Sequence, residues 1–174
     1  TNWAKLATTA DKFMAAIKTD GTLWAWGGAQ NTGNLGHRHN PNSGINSRSS
    51  PVQIPGTTWT EVATTYNSIY GLKTDGTLWG WGENDEGQMG QNSRTQYSSP
   101  VQITSGTDWA TIRGSMKCLF ARNTSGSLFA IGSGSQGQRD SSTVASTSSP
   151  VVIGGASWKD MGSGRYATIG IREW

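Results

Sequence analysis

His37 and His39 stand one residue apart in the segment His37-Arg38-His39-Asn40. On an extended chain alternate side chains point the same way. Such a pair could therefore share a metal ion if further ligands joined it. No cysteine or carboxylate lies near them in the sequence to complete a set. The segment reads instead as a polar loop, with His37, Arg38, His39 and Asn40 as candidate partner-binding residues. The acidic run Glu83-Asn84-Asp85-Glu86 invites a calcium reading. A calcium loop of the helix-loop-helix type needs oxygen ligands at alternating positions over about twelve residues, closed by a glutamate. That spacing is missing, so Asn84 and Asp85 are expected to bond their own backbone in a turn.

Covalent catalysis is no better supported. No serine sits in a nucleophile-elbow pattern, and both histidines fall in one loop. Asp20 and Asp75 occupy equivalent Asp-Gly dipeptides, which turn chemistry explains without catalysis. Glycoside hydrolysis needs two carboxylates facing each other across a cleft, and nothing in the pattern supplies them. The single cysteine, Cys118, lies in the apolar stretch Cys118-Leu119-Phe120-Ala121 and reads as a small core residue. The expectation is a protein that is not an enzyme and uses no cofactor or metal.

The elements that must position these residues come from a repeat. Lys18-Thr19-Asp20-Gly21-Thr22-Leu23-Trp24-Ala25-Trp26-Gly27 returns as Lys73-Thr74-Asp75-Gly76-Thr77-Leu78-Trp79-Gly80-Trp81-Gly82, and in degraded form over Asn123 to Gly132. Ser50-Pro51-Val52 returns as Ser99-Pro100-Val101 and Ser149-Pro150-Val151. Trp3, Trp59, Trp109 and Trp158 open successive units. A fixed period of this length signals a repeat architecture. The units span about 3–58, 59–108 and 109–157, with a partial unit at 158–174, in one repeat domain over 1–174.

Each unit reads as four short strands. In the second they are placed at Trp59 to Ala63, Ser68 to Lys73, Thr77 to Trp81 and Val101 to Ile103. The Asp-Gly dipeptide is expected to make a type I′ hairpin turn. In Leu23-Trp24-Ala25-Trp26 successive residues alternate sides, so both faces are apolar, which suits a sheet covered on both faces. Trp24, Trp26, Trp79 and Trp81 are therefore assigned to packing between blades rather than to sugar stacking. A frame that starts each blade at its Pro-Val strand would leave the first blade one strand short.

Composition agrees with many short strands and polar turns. Of 174 residues, 33% are hydrophobic, 14% are charged, 24 are glycine and nine are tryptophan. The net charge of +3 is spread without a basic run, so nucleic acid is not an expected partner. No stretch of about 18 apolar residues predicts a membrane-spanning helix.

The second unit, Thr74 to Gly90, resembles the repeat of the regulator of chromosome condensation family: an Asp-Gly turn, a Trp-Gly strand end and an Asn-x-x-Gly-Gln-Leu-Gly type of loop. The resemblance covers essentially the whole chain and weakens in the third unit. It implies an all-β propeller of four-stranded blades, here an open arc of about three and a half blades of a larger, seven-bladed ring. Family members exchange nucleotide on a small nuclear GTPase, inhibit a secreted β-lactamase, or serve as surface proteins. The wording Thr-Asn-Trp, Lys-Thr-Asp-Gly-Thr-Leu-Trp and Ser-Ser-Pro-Val-Gln-Ile is also similar to repeats in tailed-bacteriophage structural proteins. The resulting expectation is a structural or protein-interaction module of a virion or cell surface: a phage tail, fibre or decoration protein. Its partners would be proteins, further copies of itself closing the ring, or a host-surface glycan or receptor. The alternatives are an inhibitor or regulator that binds through a propeller face, and a lectin-like module.

Overall fold

The structure is a computed structural model that describes residues 2–8, 12–28, 33–36, 47–134, 146–155, 157–165 and 168–172. Every regular element among them is a β-strand. In chain order they are β1 (Trp3–Thr8), β2 (Phe13–Lys18), β3 (Leu23–Gly27), β4 (Arg48–Gln53), β5 (Trp59–Thr64), β6 (Ser68–Lys73), β7 (Leu78–Gly82), β8 (Tyr97–Gln102), β9 (Trp109–Gly114), β10 (Cys118–Asn123), β11 (Leu128–Gly132), β12 (Thr147–Ile153), β13 (Trp158–Ser163) and β14 (Thr168–Arg172). They form three four-stranded antiparallel meanders, β1-β2-β3-β4, β5-β6-β7-β8 and β9-β10-β11-β12, and a pair, β13-β14. Among the described residues, no helix is long and apolar enough to cross a membrane.

The pairing agrees with the reading of the second unit, in which the Pro-Val strand is the fourth, and not with a frame that starts each blade there. The Pro-Val strand β4 pairs with β3, with Trp24 opposite Gln53, so it closes its own blade rather than opening the next. The first blade therefore has all four strands. The fourth strands are also longer than expected: β8 starts at Tyr97, opposite Gly82. Strands β4, β8 and β12 are sheet edges and carry Pro51, Pro100 and Pro150. An edge strand tolerates proline because one side of its backbone has no ladder partner to lose.

The hairpin turn is corrected too. A type I′ turn needs positive φ at both central residues, but here only Gly76 has it (+75°) and Asp75 does not. Gly76 N–H donates to the Lys73 carbonyl at 3.0 Å, and Lys73 N–H to the Thr77 carbonyl at 3.1 Å. The loop is thus the three-residue kind, a type I turn followed by a left-handed glycine. Asp75 secures it by accepting from Thr77 N–H at 3.0 Å and from the Thr77 hydroxyl at 2.6 Å. These bonds hold the carboxyl of Asp75 below its ordinary range. Thr77 Oγ1 in turn accepts from Trp79 Nε1 at 2.8 Å. Asp20, Thr22 and Trp24 repeat the arrangement.

Each blade shows one face to the blade before it and the other to the blade after. One core joins Ala15, Ile17, Leu23 and Ala25 of the first blade to Trp59, Val62, Ile69 and Trp81 of the second. The next joins Tyr70, Leu72, Leu78 and Met89 to Trp109, Ile112, Leu119 and Ile131. The last joins Phe120, Leu128, Ala130 and Ile153 to Met161, with Trp158 against it. The same positions recur in the same roles, so the repeat encodes an interface as well as a strand order. Strand β5 packs on β1 and on β9, and β9 on β13. The first strand of each blade therefore runs along the inside of the arc.

Candidate interaction face

Antiparallel pairing puts two kinds of connection at one end of every blade. Thr8 pairs with Met14, Phe13 with Gly27, and Gly27 with Arg48. The turn between first and second strands therefore lies at the same end as the long connection between third and fourth strands. The Asp-Gly hairpins lie at the other end.

At the first end the inner turns converge on a cleft of about 390 Å³, whose lining includes Thr8, Thr64, Tyr66, Ser115, Met116 and Arg165. Adjacent turns are bonded blade to blade. Tyr66 N–H donates to the Met116 carbonyl at 2.8 Å, and Met116 N–H to the Arg165 carbonyl at 3.2 Å. The Ser115 hydroxyl donates to the Arg165 carbonyl at 2.9 Å, and the Ser163 hydroxyl to the Gly114 carbonyl at 2.7 Å. Gly114 matters by its size. A β-carbon there would meet the Thr64 carbonyl oxygen at 2.0 Å, so glycine lets the backbones of two blades approach.

Two carboxylates brace the wall. Glu61, on β5, accepts from Ile112 N–H of β9 at 2.8 Å and pairs with Arg113 at 3.2 Å. Lys5 of β1 reaches the same carboxylate at 4.0 Å. Glu83 is buried and accepts from Asn67 Nδ2 at 2.6 Å, while Lys117 of the next blade lies 2.8 Å from its other oxygen. The hydrogen bond to Glu83 raises the pKa of Lys117 against the opposing effect of burial.

The Asn-Gly loop works as a clasp. Asn84 accepts from Met89 N–H at 2.9 Å and donates to the Ser93 and Thr95 carbonyls at 3.0 and 2.7 Å. Met89 is thereby driven into the core between blades. The loop then grips the neighbour: Asn92 N–H donates to the Ser148 carbonyl of β12 at 2.7 Å, and Glu86 accepts from the Ser146 hydroxyl. Asn84 bonds its own loop as expected. Asp85 instead accepts from the side chain of Gln96 at 3.0 Å, while Glu86 N–H donates to Gln88 Oε1 and Gly87 N–H to the Asn84 carbonyl.

His37, Arg38, His39 and Asn40 lie outside the described residues. Among the described residues, no group of three or more His, Cys, Asp or Glu gathers in the manner of a metal site. Trp81 is fully buried between the first two blades. Trp24, Trp26 and Trp79 are half-buried. Trp59 packs on Trp79 and Trp81 at centroid distances of 6.5 and 6.2 Å, and Trp3 packs likewise on Trp24 and Trp26. Lys18 Nζ sits 4.0 Å over the Trp24 ring, and Lys73 Nζ 4.0 Å over Trp79. Each of these two rings thus carries a lysine ammonium over one face.

Sequence reading missed Tyr66, Met116 and Arg165. A signal was present, since each follows its unit's opening tryptophan by the same step, yet the three differ in chemistry.

Two models of the regulator of chromosome condensation (RCC1) repeat match the chain, at residues 75–114 and 59–88. Residues 59–114 thus carry RCC1-type repeats, and the fold of the chain is that of part of an RCC1-type β-propeller. Among solved structures it is similar to Prp20p of Saccharomyces cerevisiae, at 15% identity and a TM-score of 0.83, over 99% of this chain and 44% of that one. It is similar to human WBSCR16 at 18% identity and a TM-score of 0.78, over 91% and 42% respectively. The chain spans less than half the length of these relatives, and at such identities the likeness is one of fold. The Prp20p structure was described with its binding to Gsp1p and histones. Yeast RCC1 (Prp20) is also solved bound to Kap60, with a TM-score of 0.79 to this chain at 16% identity, over 98% of this chain and 42% of that one. No curated protein sequence matches the chain.

Proposed function

We propose that this RCC1-repeat arc is a non-enzymatic interaction module that holds a protein partner on the face carrying its inner turns. One observation carries the reading. Turns from successive repeats converge on one cleft, with backbones locked to each other and side chains that differ. A rigid scaffold presenting variable loop residues is the general arrangement of a recognition surface. The protein partners of Prp20p support a protein ligand over a small molecule.

We assign the module to an assembled exterior, a virion or a cell surface, as a tail, fibre or decoration component. The support is the sequence style and a surface rich in Ser, Thr, Asn and Gly. Further copies of the chain are proposed as ring-closing partners. The uncovered side of the first blade (Leu6) and of β14 (Ile169, Ile171) are the two surfaces that pack together elsewhere in the arc.

A photo-crosslinking residue at position 66 tests the binding reading, with position 75 at the opposite end as control. The expected result is one stoichiometric protein captured at 66 and not at 75. Equal capture at both ends, or none, sinks the assignment of the face. Recovery of the protein with purified particles or surface fractions tests the location, and a purely cytosolic pool refutes it.

A further inference from the structure

The repeat gives successive blades the same two faces. The face toward the preceding blade carries the opening tryptophan and the residue three beyond it: Trp59 with Val62, and Trp109 with Ile112, all buried. The face toward the following blade carries two residues of the second strand, Ala15 and Ile17 in the first blade and Tyr70 and Leu72 in the second, all buried. The two faces share one core at each joint. Ile17 lies with Trp59 and Val62, and Leu72 with Trp109 and Ile112. One face of each kind stands in water. At the head of the arc Trp3 is 40% exposed and Leu6 64%; at its tail Ile169 is 74% exposed and Ile171 58%. Ile171 pairs with Asp160 as Leu72 does with Glu61, and Ile169 with Gly162 as Tyr70 does with Ala63. The tail therefore presents the face that meets a following blade, and the head the face that meets a preceding one. Charge agrees with that match. Lys5 and Glu61 fill one position in adjacent blades, and their charged groups lie 4.0 Å apart. Asp160 fills that position in the tail. A head laid on a tail thus sets Lys5 of one copy beside Asp160 of the other.

We propose that a second copy of the chain docks head to tail, with Trp3 and Leu6 of one copy seated on Ile169 and Ile171 of the other in the register of the internal joints. Exposed apolar patches of this kind mark interaction sites, and nearest-neighbour faces are what a repeat array uses to bind its own kind. A contact between two different faces is heterologous, so each copy keeps one further face for the next contact. This rests on the ring-closing role assigned above to further copies and names its surfaces and register. It does not involve the inner-turn face.

The test is sedimentation velocity of the 174-residue chain across about a hundredfold range of concentration. The wild type should self-associate. Leu6→Asp disables the head and Ile171→Asp the tail. Each puts an unpaired carboxylate into the joint and should weaken self-association by at least about 100-fold. Each variant keeps the face that the other lacks, so an equimolar mixture should form a one-to-one complex that neither forms alone. Adding Asp160→Lys to the Leu6→Asp chain sets an ammonium beside Lys5 of its partner and should weaken that complex by about 3–10-fold. Leu6 and Ile171 are both exposed in the single chain, so thermal melts at low concentration should not change. A wild type that stays monomeric overturns the proposal. So does association lost with Leu6→Asp but kept with Ile171→Asp, which would mean head against head. A mixture that gives no complex, or a complex indifferent to Asp160→Lys, overturns it as well. Crosslinking at position 66 is scored separately, so a partner captured there leaves the inner-turn reading standing whatever the arc does with its own copies.

Discussion

At the residue scale, the most exposed weakness of the arc is a buried charge. Glu83 lies between the second and third blades with its carboxylate against Lys117, while the lysine keeps about a third of its side chain in solvent. Such a pair stands between a surface ion pair, worth up to about 1 kcal/mol, and a fully buried one whose breakage costs about 3–5 kcal/mol. Lys117→Met is expected to lower stability by roughly 1–3 kcal/mol, measured by urea unfolding at neutral pH. Glu83→Gln should cost less, because it removes the buried charge along with the pair. The sign of the pH dependence follows from the raised pKa of Lys117. The pair's contribution is complete below the unfolded lysine value of 10.5 and disappears as pH rises through the higher folded value. Melting temperatures of wild type and Glu83→Gln should therefore differ at pH 8 and converge as the pH is raised past that range. A constant gap at alkaline pH would show that the carboxylate acts without the lysine's charge.

At the element scale, close approach between inner strands is set by glycine. Gly114 ends β9 where the Thr64 carbonyl of β5 comes closest, whereas a β-carbon added to Gly162 on β13 would meet nothing within 4 Å. Gly114→Ala must push two blades apart and should cost about 1–3 kcal/mol, the range for overpacked sites. Gly162→Ala should be neutral or slightly stabilising, since it adds no clash and restricts the unfolded chain. Thermal melts of the two variants compare them directly, and equal losses would refute the close-approach reading. These elements also show what the sequence made legible. Strand number, the Asp-Gly turns and the burial of Leu23, Leu78 and Leu128 follow from local pattern that repeats three times. The turn type did not, because it depends on which residue takes positive φ, and Asp-Gly fits two turn families. The extent of the fourth strand did not either: β8 begins at Tyr97, opposite Gly82, a long-range pairing that the Pro-Val motif does not announce. Tyr66, Met116 and Arg165 were hidden for a related reason. They share no residue type, and only the meeting of turns from separate repeats makes them one site.

At the scale of the whole molecule, stability is carried by the interfaces between blades, and the arc provides its own control. Leu6, Val62, Ile112 and Met161 occupy one position of the repeat, three residues beyond the opening tryptophan. Val62, Ile112 and Met161 are buried against the preceding blade, while Leu6 is 64% exposed on the uncovered side of the first. Repeat arrays are stabilised mainly by nearest-neighbour interfaces, so the same substitution should have different consequences at equivalent sites. Ile112→Ala removes methylenes from a filled core and is expected to cost about 2–5 kcal/mol. Leu6→Ala touches a surface already in water and should stay within about 0.5 kcal/mol. Urea unfolding at low protein concentration reads the intrinsic difference. If further copies cover the first blade, the cost of Leu6→Ala should grow as protein concentration rises, because association stabilises only the folded arc. A Leu6→Ala effect as large as that of Ile112→Ala at every concentration would mean that position three serves the internal packing of each blade, and that the interfaces between blades are not where the stability lies.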